Sequence, residues 1–294
     1  MPVKNPKVSV IIPVFRPEGD VFGRLKDALK KQTISVEIIE KWNNPEAVSI
    51  NLGIKEANGE FIVILAQDCV PENEKFIERI IKPLENKEVV AVLSDLFLPE
   101  YQWKKRPFLV RMFTMGDLKV RKPEGNLTTC AYRKKDLERI GYIDENTSAI
   151  DVDFSIKIRK IGKVERGNVI VYHMHPHYNY KKMLKTFHAY SRFNGITART
   201  YGSDFHPIGF VKRIIRATPF LGFCSIYFRY PLEKYYHLLP VNFLFGAIPE
   251  HMINVLGFWQ GFFLGDEEGG SRNKDVLKEN KRNTEALEEQ KKQK

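Results

Sequence analysis

The chain has 294 residues, 43% hydrophobic and 28% charged, which is enough for a sizeable core and excludes a disordered or fibrous polypeptide. Its net charge is +11, and because residues 266–294 hold eight basic and eight acidic side chains, the whole excess lies in residues 1–265. Such a body suits anionic partners, whether nucleic acid, an acidic membrane or a phosphorylated substrate, while three scattered cysteines without a CxxC pair exclude a disulfide framework and a structural zinc site.

From the N-terminus two periodicities alternate. They predict strand Lys7–Phe15, helix Asp20–Gln32, strand Ser35–Lys41, helix Pro45–Ala57, strand Glu60–Ala66, helix Glu72–Asn86 and strand Glu88–Phe97. The runs VSVII, FIVIL and VVAVL suit parallel strands covered on both faces, whereas Val21, Phe22, Leu25, Ala28 and Leu29 recur at helical spacing. The expected fold class is α/β, with a Rossmann-like, mostly parallel sheet and flanking helices. Ligands bind such sheets outside the carboxyl ends of the strands, which here follow Phe15, Lys41 and Ala66. The apolar stretch at the N-terminus is only a strand long and has no small-residue cleavage site, so the expected chain is not secreted.

Residues 98–127 break the pattern with Pro99, Pro107 and Pro123, as a long excursion over one side of the sheet. A helix Lys134–Ile140 closed by Gly141, a turn at Asp144 and Glu145, a helix Val152–Ile161 closed by Gly162 and a strand Asn168–His173 follow. Beyond Tyr178 the chain turns to helices rich in aromatics and basic residues. Ile208–Thr218 sets Phe210, Val211, Ile214 and Ile215 against Lys212, Arg213 and Arg216, the pattern of a helix lying on a membrane or a neighbour. Leu238–Gly265 carries only Glu250 as a formal charge, but Pro240, Pro249 and Asn254 interrupt it, which favours an in-plane or re-entrant arrangement over a span. The expected domains are 1–204, catalytic; 205–265, helical and membrane-associated; and 266–294, a polar charged tail.

Three groups of residues can carry chemistry. Asp68 ends the run FIVILAQD, where a carboxylate can hold magnesium or manganese against a diphosphate or simply begin a turn. Asp151 and Asp153 open a helix, where capping explains one carboxylate but not both. His173, His175 and His177 alternate, yet Pro176 interrupts them and no nearby Glu or Cys completes a zinc site, so at most one histidine assists a metal at Asp68. The mixed basic and aromatic residues after position 180 come with no helix-turn-helix, RNA-recognition or zinc-finger signature, and nucleic acid is not an expected partner.

Taken in order, KVSVIIPVF, NLGIKEANGEFIVILAQDCVP, AYRKKDLERIGYIDE and DVDFSIKIRKIG resemble the successive motifs of family 2 glycosyltransferases with the GT-A fold, over about residues 7–200. The resemblance implies an inverting enzyme that moves a sugar, of the hexosyl or deoxyhexosyl class, from a nucleotide-diphosphate donor to a hydroxyl. It places Pro13, Val14 and Phe15 at the first donor-binding turn, and Asn51, Gly53 and Gly59 at the helix and turn before the metal strand. Ala66-Gln67-Asp68 occupies the Asp-x-Asp position, with Gln67 and Asp68 toward the donor and Asp68 on the cation, Mg or Mn. Trp42 or Asn43 falls where an Asp commonly reads the base, His173 matches a histidine that completes the metal site in some members, and Asp151 matches the general base.

Ala66, Ile150 and Trp42 depart from the family pattern. They motivate an alternative, a catalytically inactive glycosyltransferase-like scaffold or binding protein. A nucleotidyltransferase on a similar sheet would need a glycine-rich phosphate loop, which PVFRPEGDVFG does not supply. The basic aromatic C-terminal region suits a lipid-linked or glycan acceptor, a monotopic or peripheral place on the cytoplasmic face of the cell membrane, and a role in cell-surface polysaccharide biosynthesis.

Overall fold

The computed structural model describes residues 7–17, 19–122, 127–145, 150–174, 179–205, 207–227 and 233–265. The predicted tail 266–294, with His175 and His177, lies outside them. In chain order the elements are β1 (Val8–Val14), α1 (Val21–Lys30), β2 (Glu37–Trp42), α2 (Glu46–Glu56), β3 (Phe61–Ile64), β4 (Cys69–Pro71), α3 (Phe76–Ile81) and β5 (Val89–Phe97). Short helices α4 (Glu100–Lys104) and α5 (Phe108–Phe113) precede β6 (Cys130–Arg133), α6 (Lys134–Arg139), α7 (Ile150–Arg159) and β7 (Lys163–His173). The chain then turns helical as α8 (Tyr180–Tyr201), α9 (Pro207–Arg216), α10 (Pro219–Tyr227), α11 (Leu239–Asn242) and α12 (Ile248–Leu264).

Two compact units emerge. Of the described residues, one holds 7–94 and 127–171, the other 95–122 and 172–265. The division is discontinuous along the chain, because the excursion after β5 folds with the C-terminal helices. The expected boundary after residue 204 does not coincide with it.

The seven-stranded sheet has the order β2-β1-β3-β6-β5-β7-β4. β1 pairs in parallel with β2 and β3, as the β-branched runs predict. The expectation of a mostly parallel sheet is corrected at β6, which is antiparallel to both β3 and β5 and separates them. Four residues are too short a run to show a strand periodicity, so CAYR carries no strand signal in the sequence. Arg133 holds β6 there: its buried guanidinium donates to the carbonyls of Leu84, Asn86 and Lys87 before β5 and pairs with Asp136 at 2.8 Å.

β1 is buried on both faces. Ile11 packs with Ile50 and Ile54 of α2, Tyr132, Phe154 and Ile158 in one core, while Val8, Val10 and Ile12 alternate to the other side of the strand and are fully buried. Each such side chain contributes about 1.5–3 kcal/mol by leaving water. Gly53 of α2 sits against Ile11, and a Cβ at Gly59 would run into the backbone between Val8 and Ser9. These glycines let helix and turn approach the central strand.

In the second unit α8 and α12 run side by side in the same direction. Ser191 meets Asn254 at 2.7 Å, and Arg199 donates to the Phe263 carbonyl at 3.1 Å. Gly195, Gly257 and Gly261 line this seam, where an added Cβ would collide with the backbone or side chain of the facing helix. A second cluster gathers Leu98, Trp103, Met112, Met115 and Leu118 around Tyr235. The expected helical C-terminal region is present, but among the described residues no helix is long and apolar enough to cross a membrane. α12 has 17 residues and follows a π-helical turn, Phe243–Ala247, with Pro249 in its first turn.

Candidate active site

The exits of the three parallel strands are laced together. Asn43, just past β2, donates its backbone N–H to the Val14 carbonyl at 2.9 Å. Gln67, beyond β3, brackets Phe15: its Oε1 accepts from the Phe15 N–H at 2.8 Å and its Nε2 donates to the Phe15 carbonyl at 2.9 Å. Arg16 and Asn43 both take a left-handed backbone, with φ of 44° and 58°. Such conformations cost free energy in residues with a side chain, and they concentrate at functional sites. The carboxyl edge predicted from topology to receive a ligand is therefore where backbone strain collects, and Pro13, Val14, Phe15, Asn43 and Gln67 meet on it.

Asp68 sits at the third position of a tight turn, closed by the Cys69 N–H donating to the Ala66 carbonyl at 3.0 Å. This turn joins β3 to β4, not to a helix as expected. Asp68 is half-buried, and the buried Cys69 thiol lies 3.7 Å from its Oδ1. The Asp68 carboxylate is a donor that fits a hard cation, whereas a thiol is a soft ligand and Ala66 offers none. The remaining coordination sites would fall to diphosphate oxygens and water, a common arrangement for magnesium.

Asp151 opens α7 and accepts the Leu127 N–H at 2.9 Å. Asp151 is exposed as a residue, and the protein atoms packed near its carboxyl still strip away part of its solvent. That desolvation pushes its carboxyl up from the ordinary value of 3.8, more than the Leu127 hydrogen bond pulls it down. The Thr129 N–H bonds the Ile64 carbonyl at the end of β3, so the segment that Asp151 holds at Leu127 is tied to the strand that leads to Asp68. Asp153 is different, paired with Lys157 at 2.7 Å on its own helix. Beside Asp151, burial raises the Cys130 thiol to about 12, which makes it unreactive.

Two predicted residues make hydrogen bonds that the sequence does not show. Asn51 is buried, its Nδ2 donating to the Ile143 carbonyl and to Glu145 Oε1, its Oδ1 accepting from the Ile143 N–H. Both ends of the amide hold the 143–145 turn, so Asn51 positions the segment before α7. His173 ends β7. Its Nδ1 lies 3.0 Å from Arg121 Nη2, and since a guanidinium only donates, the ring proton resides on Nε2. His173 would ligate a cation only after one of these hydrogens leaves. Arg121 in turn faces Asp117, which pairs with the buried Arg106 at 3.1 Å. This Arg106–Asp117–Arg121–His173 chain was invisible in the sequence, because its members come from separate elements within an irregular excursion. Trp42 is exposed, with its ring edge-on to Phe22.

Residues 24–141 match the profile of the family described as Glycosyl transferase family 2. No curated protein matches the chain. Among solved structures the fold is similar to the mannosyltransferase PcManGT from Pyrobaculum calidifontis in complex with GDP-Man and Mn2+, at 14% identity and a TM-score of 0.56, over 90% of this chain and 89% of that one. Residues 1–349 of TarS from S. aureus align at 13% identity over 87% of this chain and 92% of that one, with a TM-score of 0.39. The matched segment runs from within α1 to just past α6, and over it the sequence is similar to family 2 glycosyltransferases, while the fold as a whole is similar to that of the mannosyltransferase.

Proposed function

We propose that the protein is an inverting glycosyltransferase that moves a hexosyl or deoxyhexosyl group from a nucleoside-diphosphate donor to a hydroxyl of a lipid-linked glycan, on the cytoplasmic face of a membrane, in cell-surface polysaccharide assembly. The observation that supports this reading is the lacing of the strand exits, where Gln67 brackets Phe15 and Asn43 bonds Val14, beside Asp68 and next to the left-handed backbone of Arg16 and Asn43. Asp151 accepts the proton of the acceptor hydroxyl as its oxygen bonds to the anomeric carbon. The bond from that carbon to the diphosphate breaks on the opposite face, which inverts the configuration. Phe15, held by Gln67, and Asn43 shape the floor on which the nucleotide rests.

A divalent cation, Mg or Mn, when bound offsets the charge on the departing diphosphate, and Asp68 is the residue that would hold it. The manganese and GDP-Man in the Pyrobaculum mannosyltransferase support this class of donor and ion. The test is a thermal-shift series with nucleoside diphosphates, with and without manganese, because a ligand that binds only the folded state raises the melting temperature. A manganese-dependent upward shift that Asp68→Ala abolishes is expected. No shift with any nucleotide would defeat the proposal.

A further inference from the structure

We infer that the outward faces of α9, α10 and α12 form one docking surface for an anionic lipid bilayer, which the protein enters from the side without crossing it. The inference rests on the membrane-bound acceptor proposed above for its purpose only.

α12 buries Gly257, Phe258 and Gly261 and exposes Met252, Leu256 and Phe263, a stripe spaced by four and seven residues, with Leu256 63% and Phe263 69% exposed. Trp259, three residues from Leu256, ties this helix to α9 by donating to the Ala217 carbonyl at 2.8 Å. α9 turns Phe210, Ile214 and Ala217 inward against Phe258 and leaves Val211 and Ile215 exposed. At the start of α10, Phe220 is 88% and Leu221 60% exposed, and His251 of α12 anchors this turn through the Pro219 carbonyl at 2.8 Å. Large side chains so open to water, on three helices fixed to one another, form a patch that a soluble surface rarely leaves uncovered.

Charge selects the occupant. Lys212, Arg213 and Arg216 flank Val211 and Ile215 on α9, and no acidic residue lies in α9 or α10. A second copy meeting this face across a two-fold axis would bring the same cations together. A bilayer rich in acidic headgroups takes the apolar prongs between its chains and the cations at its surface, and needs no matching shape. The interruptions around α12, unfavourable for a span, are compatible with a helix lying in the interface.

The experiment is flotation of the full-length protein with vesicles of phosphatidylcholine alone or with phosphatidylglycerol, at low and high salt. Binding is expected to be stronger on the acidic vesicles and to weaken in high salt, by roughly fivefold for each basic residue replaced, as read with Lys212→Gln. Phe220→Ser with Leu221→Ser should reduce vesicle binding at least tenfold without lowering the melting temperature, since both side chains already face solvent. Equal flotation by this double variant would overturn the inference. So would a full-length protein that ignores both vesicle types and runs as a dimer, which would assign the face to a second copy. The nucleotide shift of the previous subsection, measured on the same samples, reports the sugar-transfer reading separately.

Discussion

A carboxylate that serves as a base at neutral pH must be ionised and still hold a proton well, and the partial desolvation of the Asp151 carboxyl favours the second property. Asp151→Asn preserves the acceptor for the Leu127 N–H but removes the proposed base, so transfer should fall at least about a hundredfold in a single-turnover assay. Stability moves the other way. Because burial raises the folded carboxyl above its unfolded value, the folded state binds the extra proton, and the wild type loses stability as pH rises from the ordinary carboxyl range through the folded pKa. Denaturation curves should therefore show the Asn variant matching or exceeding the wild type at neutral pH, with that relative gain shrinking in acid, where Asp151 is protonated in both states. Gln67 acts through Phe15. Gln67→Leu strips two hydrogen bonds from one residue's backbone and should cost about 1–3 kcal/mol by urea denaturation, together with weaker nucleotide binding. Unchanged binding with lowered stability would leave Gln67 a purely structural latch.

Pairs of elements are governed by how closely their backbones approach. Gly261 permits α12 to lie on the Arg192 carbonyl of α8, and an added methyl has nowhere to go. Gly261→Ala should therefore destabilise by about 1–3 kcal/mol through forced separation of the helices, despite the gain in helix propensity. Gly23→Ala on α1 is the matched control. Nothing lies within 4 Å of its added Cβ, so that variant should be stabilised by about 0.5–1 kcal/mol. The two melting temperatures should move in opposite directions. The same logic explains β6: its place between β3 and β5 depends on Arg133 reaching three carbonyls some 46 to 49 residues away, an interaction no local window contains.

For the molecule as a whole, the C-terminal helices are not a removable appendage. Tyr235 covers Trp103, Asn242 bonds the Met112 carbonyl, and Ile253 packs with Phe113 and Met183. A chain ending at residue 204 would expose that apolar surface in the excursion and on α8. We expect this truncation to aggregate or to melt well below the full-length chain, as size-exclusion chromatography and a thermal scan would show. A monodisperse fragment with an unchanged melting temperature would mean that residues 95–122 find other partners.

What the sequence by itself determined is local and periodic. β-branched runs and helical spacings located β1, α1, β2, α2, β3 and β5 to within a few residues, and four motifs in order pointed to the glycosyltransferase family. Its departures at Ala66 and Ile150 were equally legible, since a missing carboxylate needs no structure to be seen. Tertiary structure alone decided the rest, because burial and long-range hydrogen bonding are properties of neighbours and not of residue type. It committed Asn51 to the 143–145 turn, engaged His173 through Arg121, inserted β6 between β3 and β5, and joined residues 95–122 to the C-terminal helices. Asp151 shows both contributions: its position was readable, whereas the raised proton affinity of its carboxyl comes from the protein packed around it.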